Sequence, residues 1–184
     1  MPELIAPSVR VHTSFLAAMA EFQAEGRGGP GDHSSVGREI REYGPRWADP
    51  AVFADFAASL RAEADVSIPV PEGWVHSTTL WYVGGDEYLG RVALRHHLTP
   101  QLTEVGGHVG YDVRPSARRR GYATEMTRQV LAIAAGLGIE RALITCDADN
   151  VASRRVIEAN GGVWEDQRGE TLRFWAPTAK IQSV

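Results

Sequence analysis

Apolar residues first fall at helical spacing, where Phe15, Met19 and Phe22 recur behind Thr13-Ser14; this predicts an amphipathic helix over about 13–25 with a polar cap at its start. The stretch Gly26–Asp32 (GRGGPGD) ends that helix and has the composition of a mobile loop. A second helix fits Pro50–Ala64, with Pro50 in the first turn and Phe53, Phe56 or Ala57, and Leu60 along one face. Pro69 and Pro71 break the chain after it. From Ser77 the period shortens: STTLWYV and YLGRVALRHHL, separated by Gly84-Gly85-Asp86, predict two antiparallel strands in a hairpin. Gly107–Val113 follows as a strand. Gly121–Leu137 is a helix with Met126, Val130, Ile133 and Leu137 on one face, ended by Gly136 and Gly138. The continuous apolar run Ala142–Cys146 suits a strand buried on both faces, the central parallel one. Asn150–Asn160 is helical up to Gly161-Gly162, and Val163–Glu165 with Thr171–Trp175 form a closing hairpin. The order predicts an α+β fold on a mixed sheet.

Composition narrows the function. A chain of 184 residues suits one domain, and 43% hydrophobic with 23% charged residues is the make-up of a soluble globular protein. No apolar run reaches the roughly 18 residues of a membrane span. A net charge of −4 argues against nucleic acid as a partner. Of 19 basic side chains only Lys180 is a lysine, so the folded body has no lysine for a phosphate loop or a Schiff base. One cysteine, Cys146, rules out an intrachain disulfide and any multi-cysteine metal site, and it fits a small core residue better than a nucleophile. The opening MPELIAPSVRVHTS lacks the features of a secretory signal, and a cytoplasmic protein is expected. Residues 1–80 carry 6 basic and 11 acidic side chains against 13 and 12 in the remainder, so basic chemistry belongs to the second half.

Its centre is Val113–Thr124 (VRPSARRRGYAT), a strand running through a basic turn into a helix start. Unpaired N–H groups at a helix N-terminus and the positive end of the macrodipole favour an anion there, and Gly121 with the small Ala123 lets a phosphate approach the backbone. Arg118, Arg119 and Arg120 add charge without a lysine.

Arg118, Gly121 and Ala123 fill an Arg-x-x-Gly-x-Ala pattern, and Asn150-Val151-Ala152-Ser153 follows downstream with Glu158 and Gly161-Gly162. In these motifs the sequence resembles the Gcn5-related N-acetyltransferases (GNAT superfamily), and more narrowly a bacterial subgroup of predicted acetyltransferases. The resemblance covers about residues 75–176. It implies a mixed, mostly antiparallel sheet of six to seven strands with a splayed parallel central pair, flanked by about four helices. The expected layout is one domain over 1–184: a variable helical part over 1–70 and an acetyl-CoA-binding core over 75–176.

The resemblance further implies that backbone groups of Asp112, Val113 and Arg114 bond the pantetheine of acetyl-CoA in the splayed gap. The N–H groups of Arg119, Arg120, Gly121, Tyr122, Ala123 and Thr124 would hold the pyrophosphate beside Arg118, and Asn150 and Ser153 would contact the arm near its thiol end. His108 stands where family members often place a glutamate base, and its ordinary pKa near about 6.5 suits proton transfer, the other reading being a structural histidine tied to a backbone carbonyl. Ile157 replaces the tyrosine that many members use as general acid, which leaves Tyr111, Tyr122 or a water for that role, or no acid at all, since a coenzyme thiol is a tolerable leaving group. The implied reaction is direct transfer, without a covalent enzyme intermediate, to a primary amine of a small molecule. A non-catalytic acyl-CoA-binding sensor and a protein or peptide N-acetyltransferase are the alternatives, and a homodimer is a family expectation. No metal is expected, because adjacent His96 and His97 in a strand point to opposite faces and no zinc-ligand spacing occurs. Trp74, Trp81, Tyr82, Phe174 and Trp175 fit core packing better than an acceptor pocket, and Glu21, Glu25, Glu39 and Glu42, carboxylates that could attract a cationic amine, fit solvated faces better.

Overall fold

The period-2 segments form one seven-stranded sheet in the computed structural model, which describes residues 1–178; Lys180 lies outside the described residues. The strands are β1 (Glu3–Ile5), β2 (Ser77–Gly84), β3 (Glu87–Arg95), β4 (Val109–Val113), β5 (Arg141–Asp147), β6 (Val163–Arg168) and β7 (Thr171–Pro177). They lie in the order β1-β2-β3-β4-β5-β7-β6, antiparallel throughout except for the β4–β5 pair.

Pleating sends successive side chains to opposite faces, so Trp81 and Tyr82 of β2 enter different cores. Trp81 joins Phe15 and Phe22 of α1 (His12–Ala24), Val36 and Ile40 of α2 (Ser35–Tyr43), and Phe53 and Phe56 of α3 (Pro50–Ala62). Tyr82 joins the other face, where Met126 and Val130 of α5 (Tyr122–Gly136) and Ile157 of α6 (Val151–Ala159) pack on Leu94 and Ile144. A short α4 (Pro100–Glu104) links β3 to β4.

The expected α+β sheet with a parallel pair is present, and four of the helices match the periodic segments within a few residues. Two helices exceed the expected four, and β1 is an added edge strand. Helix α2 has a good cap, with Ser34 Oγ accepting from Gly37 N–H at 3.0 Å, but its apolar face is only Val36 and Ile40. Glu39 takes a buried position that an apolar residue would normally fill, which hides the helical period.

The parallel pair meets at one register point, Val109 opposite Ile144, and then parts. The cause is local. Gly107 adopts φ +60, and a Cβ there would stand 2.4 Å from the Leu143 carbonyl oxygen, so the two chains approach only where the side chain is a hydrogen. His108 then ties the junction, its N–H donating to Leu143 O at 2.7 Å and its Nδ1 accepting from Leu143 N–H at 2.9 Å. Beyond it β4 stays with β3 and β5 with β7. Gly107→Ala is expected to cost about 2–4 kcal/mol through backbone strain and the clash. At about 2–4 °C per kcal/mol for a chain of this size, calorimetry should register a melting point lower by roughly 5–15 °C.

The glycine-rich loop is cross-braced, contrary to its mobile composition. Arg27 donates from Nε to Asp32 at 3.0 Å and from Nη2 to Ser34 Oγ at 2.6 Å and Asp112 Oδ1 at 2.9 Å. Asp32 also accepts from the N–H groups of Gly28 and Ser34, both at 3.0 Å. Burial raises the Asp32 pKa, but these donors overcome it and hold the carboxyl well below the usual carboxylate range. The loop is thereby pinned to β4.

Candidate active site

The gap between β4 and β5 exposes one strand edge. Arg95 N–H donates to His108 O at 2.8 Å and Arg114 N–H to Leu89 O at 2.9 Å, which fixes the alternation along β4. Gly110, Asp112 and Arg114 turn their backbone groups to β3, whereas Tyr111 and Val113 turn theirs to the gap. The Arg114 carbonyl is taken as well, by Ala117 N–H at 2.8 Å. Of the expected backbone set Asp112, Val113 and Arg114, only Val113 therefore faces the opening, and its carbonyl accepts from Arg118 Nε at 3.2 Å. Tyr111 is the edge residue that the motif alone does not point to; the alternation supplies it once the β3 register is known.

After β4 the chain makes a short 3-10 turn, Pro115–Ala117, and enters α5. No backbone N–H from Arg119 through Thr124 donates to a protein acceptor among the described residues. Gly121, the residue before the helix, has φ +78 with open space on its Cβ side, and Arg119 sits at φ +63. Those free donors, the helix start and the open side of Gly121 are a geometry to which an anion is complementary, chiefly through backbone.

The arginines divide. Arg118 grips Glu25 through both terminal nitrogens at 2.7 and 2.8 Å, and Arg114 donates from Nε to Glu21 at 2.7 Å. Glu21 also accepts from Ser116 N–H at 2.9 Å. Arg119 and Arg120 make no ion pair among the described residues and remain exposed beside the free N–H groups. Glu21, Glu25 and Glu39 thus neutralise arginines of the second half, in place of the expected solvated faces, and do not stand free to attract an amine.

A cleft of about 300 Å³ opens against the gap, with Arg95, Tyr111, Cys146, Asp147, Asn150 and Ser153 among its walls. Its floor is low because Ala93 of β3 stands opposite Gly110 of β4. Asn150 Oδ1 caps α6 by accepting from Ser153 N–H at 3.0 Å, and Ser153 Oγ lies 2.7 Å from the Tyr111 hydroxyl. Burial pushes the Tyr111 pKa up to about 12 despite that hydrogen bond, so the phenol stays protonated. Burial and the nearby Asp147 raise the Cys146 thiol, which suits packing and not nucleophilic attack.

His108 lies at the root of the gap, 7% exposed. With Nδ1 accepting from Leu143 N–H, a neutral ring carries its proton on Nε2 and has no free lone pair. Burial first, then Arg95 and His97, lower its pKa. Tyr122 packs on Tyr82 with ring centroids 5.4 Å apart and does not line the cleft. Trp81, Tyr82 and Phe174 are buried in the cores, and Trp74 lies under the Arg38 guanidinium at 4.5 Å. A wider open hollow of about 880 Å³ beside Leu4, Leu80 and Ile133 brings no carboxylate, histidine or nucleophile together. Among the described residues no group of three or more His, Cys, Asp or Glu is placed to hold a metal, and no helix is long and apolar enough to cross a membrane.

A parallel pair opened beside a backbone anion site is the arrangement of an acetyltransferase. The family model for the acetyltransferase (GNAT) domain matches residues 36–163, and the chain belongs to that family. The match begins well before residue 75, inside α2. No curated protein sequence matches the chain. Among solved structures, RimJ from Mycobacterium smegmatis in complex with CoA-disulfide is similar at 15% identity and a TM-score of 0.67, over 99% of this chain and 84% of that one. The microcin C7 self-immunity acetyltransferase MccE, in complex with acetyl-CoA and AMP, gives 10% identity and 0.64, over 96% and 92%. RimL, a ribosomal L7/L12 alpha-N-protein acetyltransferase in complex with coenzyme A, gives 14% and 0.61, over 98% and 96%. At these identities the likeness is one of fold.

Proposed function

We propose that the protein transfers an acetyl group from acetyl-CoA directly to a primary amine of a small molecule. The observation that carries this reading is the row of free N–H groups from Arg119 through Thr124, which follows one short turn after the edge that Tyr111 and the Val113 N–H present to the gap. An extended amide chain complements an open strand edge as a further strand would, and a pyrophosphate complements the helix start. When bound, acetyl-CoA supplies an electrophilic thioester carbonyl. The chain supplies the edge that orients it and a protonated phenol, Tyr111, held by Ser153. The neutral amine nitrogen would bond to the carbonyl carbon as the C–S bond breaks, and the Tyr111 hydroxyl would protonate the departing sulfur, the role that Ile157 lacks the chemistry to fill. The proton lost by the nitrogen would return through water to the Tyr111 oxygen, which closes the balance. His108 acts as a tie between β4 and β5 in this reading, since its lone pair is engaged.

A small acceptor calls for a pocket that closes around it and a peptide for an open groove. Mass-spectrometric acetylation screening against amines, aminoglycosides, amino acids and peptides tests the proposal. Tyr111→Phe is expected to lower kcat about 100-fold, the low end of general-acid effects, with KM for acetyl-CoA unchanged. Acetyl-CoA binding without turnover across the panel would establish the sensor reading, and turnover of peptides alone the protein-acetyltransferase reading.

A further inference from the structure

The cleft holds an uncompensated cation. Arg91, Ala93 and Arg95 alternate along β3 and so share one face, the face that floors the cleft. Arg91 is buried and paired with Glu39 at 2.5 Å. At the same end of the floor, Asp112 is held by Arg27 at 2.9 Å. Arg95, at the other end, forms no ion pair among the described residues. Its Nη1 donates to the carbonyls of Gly106 and Gly107 at 3.1 and 3.0 Å, which aims the guanidinium, while Nε and Nη2 have no protein acceptor there. Burial, Arg38 and Arg91 together lower its pKa, so the charged groups that most affect it share its sign. A half-buried guanidinium among cations is unfavourable unless an anion completes it, and its fork matches a carboxylate or phosphate in two-point contact.

We infer that the acceptor carries an oxyanion, a carboxylate or a phosphate, close to its amine, and that Arg95 is the residue that binds it. Asp147 lines the opposite strand of the same cleft and offers the complementary charge for the ammonium. The acceptor is therefore zwitterionic and not a purely cationic amine. This inference rests on the acetyltransferase reading for the identity of the cleft.

The test uses full-length protein first saturated with CoA, so that the backbone anion site is filled. Failure to bind CoA would overturn the acetyltransferase reading itself and is scored separately from the anion titrations. Inorganic phosphate and acetate are then titrated while the Arg95 Nε–H resonance is followed by NMR. At least one of the two is expected to shift that resonance saturably, and Arg95→Gln should weaken its binding, measured by calorimetry, at least tenfold. Arg95→Lys, which keeps the charge without the fork, should recover part of it. Acetylation is measured in parallel on matched acceptors: α-amino acids against their amides, and aminoethyl phosphate against aminoethanol. The anionic member of a pair should be favoured at least tenfold in kcat/KM, through KM, and Arg95→Gln should erase the preference while leaving KM for acetyl-CoA unchanged. Preference for amino acids identifies the carboxylate as the source, and preference for aminoethyl phosphate the phosphate. Equal binding of both anions by wild type and Arg95→Gln, or an equal loss on charged and neutral acceptors, would overturn the inference and leave Arg95 as a brace for Gly106 and Gly107.

Discussion

Gly121→Glu is expected to abolish acetyl-CoA binding while the protein remains folded. The backbone at this position has φ +78, so any side chain there carries left-handed strain of about 1–2 kcal/mol. Nothing lies within 4 Å of the added Cβ, so the substitution meets no clash within the fold. What it does meet is the space in front of the free N–H groups of Arg119 through Thr124, into which it brings a carboxylate. Lost approach and like-charge repulsion together should weaken binding at least 100-fold, equivalent to about 3 kcal/mol. Calorimetric titration with acetyl-CoA reads the loss, and circular dichroism checks the fold. Gly121→Ala separates the two causes, since it adds the strain without the charge and should keep most of the affinity. An undiminished heat of binding in the glutamate variant would remove the phosphate-site assignment.

Glu39→Gln should produce the largest loss of stability, about 3–5 kcal/mol, because it strands a buried guanidinium. Glu39 and Arg91 are 5% and 5% exposed and meet at 2.5 Å between α2 and β3. Burial alone would depress the Arg91 pKa, yet the adjacent carboxylate more than offsets this and holds it above the ordinary arginine value. Remove the negative charge and the desolvation cost of Arg91 stands uncompensated. Urea unfolding measures the difference, and the double variant Glu39→Leu with Arg91→Leu should recover much of it, since an apolar pair of similar size has no charge to desolvate. A single-variant loss below about 1 kcal/mol, the range of exposed pairs, would mean that water reaches this pair.

Local signals are legible in the chain and distant ones are not. Helix α5 and strand β5 announce themselves by period and by a continuous apolar run, although α5 buries Met126, Val130, Leu131 and Ala134 and leaves Ile133 and Leu137 of the expected face exposed. The anion turn is equally local: a strand end, a glycine and a helix start within a dozen residues. Helix α2 escapes the pattern because its buried Glu39 looks like surface, and the reason it is buried, Arg91, lies 52 positions away. The role of His108 depends on Leu143, 35 positions on, which occupies the nitrogen that a base would need. Which of Asp112, Val113 and Arg114 faces the gap depends on the β3 register. Arg95 reads in the sequence as one charge among 19 basic residues. Only the floor made by Ala93 and Gly110 reveals that it lacks a counter-ion among the described residues.

The long-range pairs of Glu21 with Arg114 and Glu25 with Arg118, 93 positions apart, also bear on how such a protein can be rebuilt. The amino-terminal helices are not a cassette. A chimera that imports residues 1–70 from a relative without carboxylates at these two places would leave the arginines of the turn unanchored. Engineers seeking a new acceptor must therefore carry Glu21 and Glu25 across with the graft, or redesign the turn that they hold.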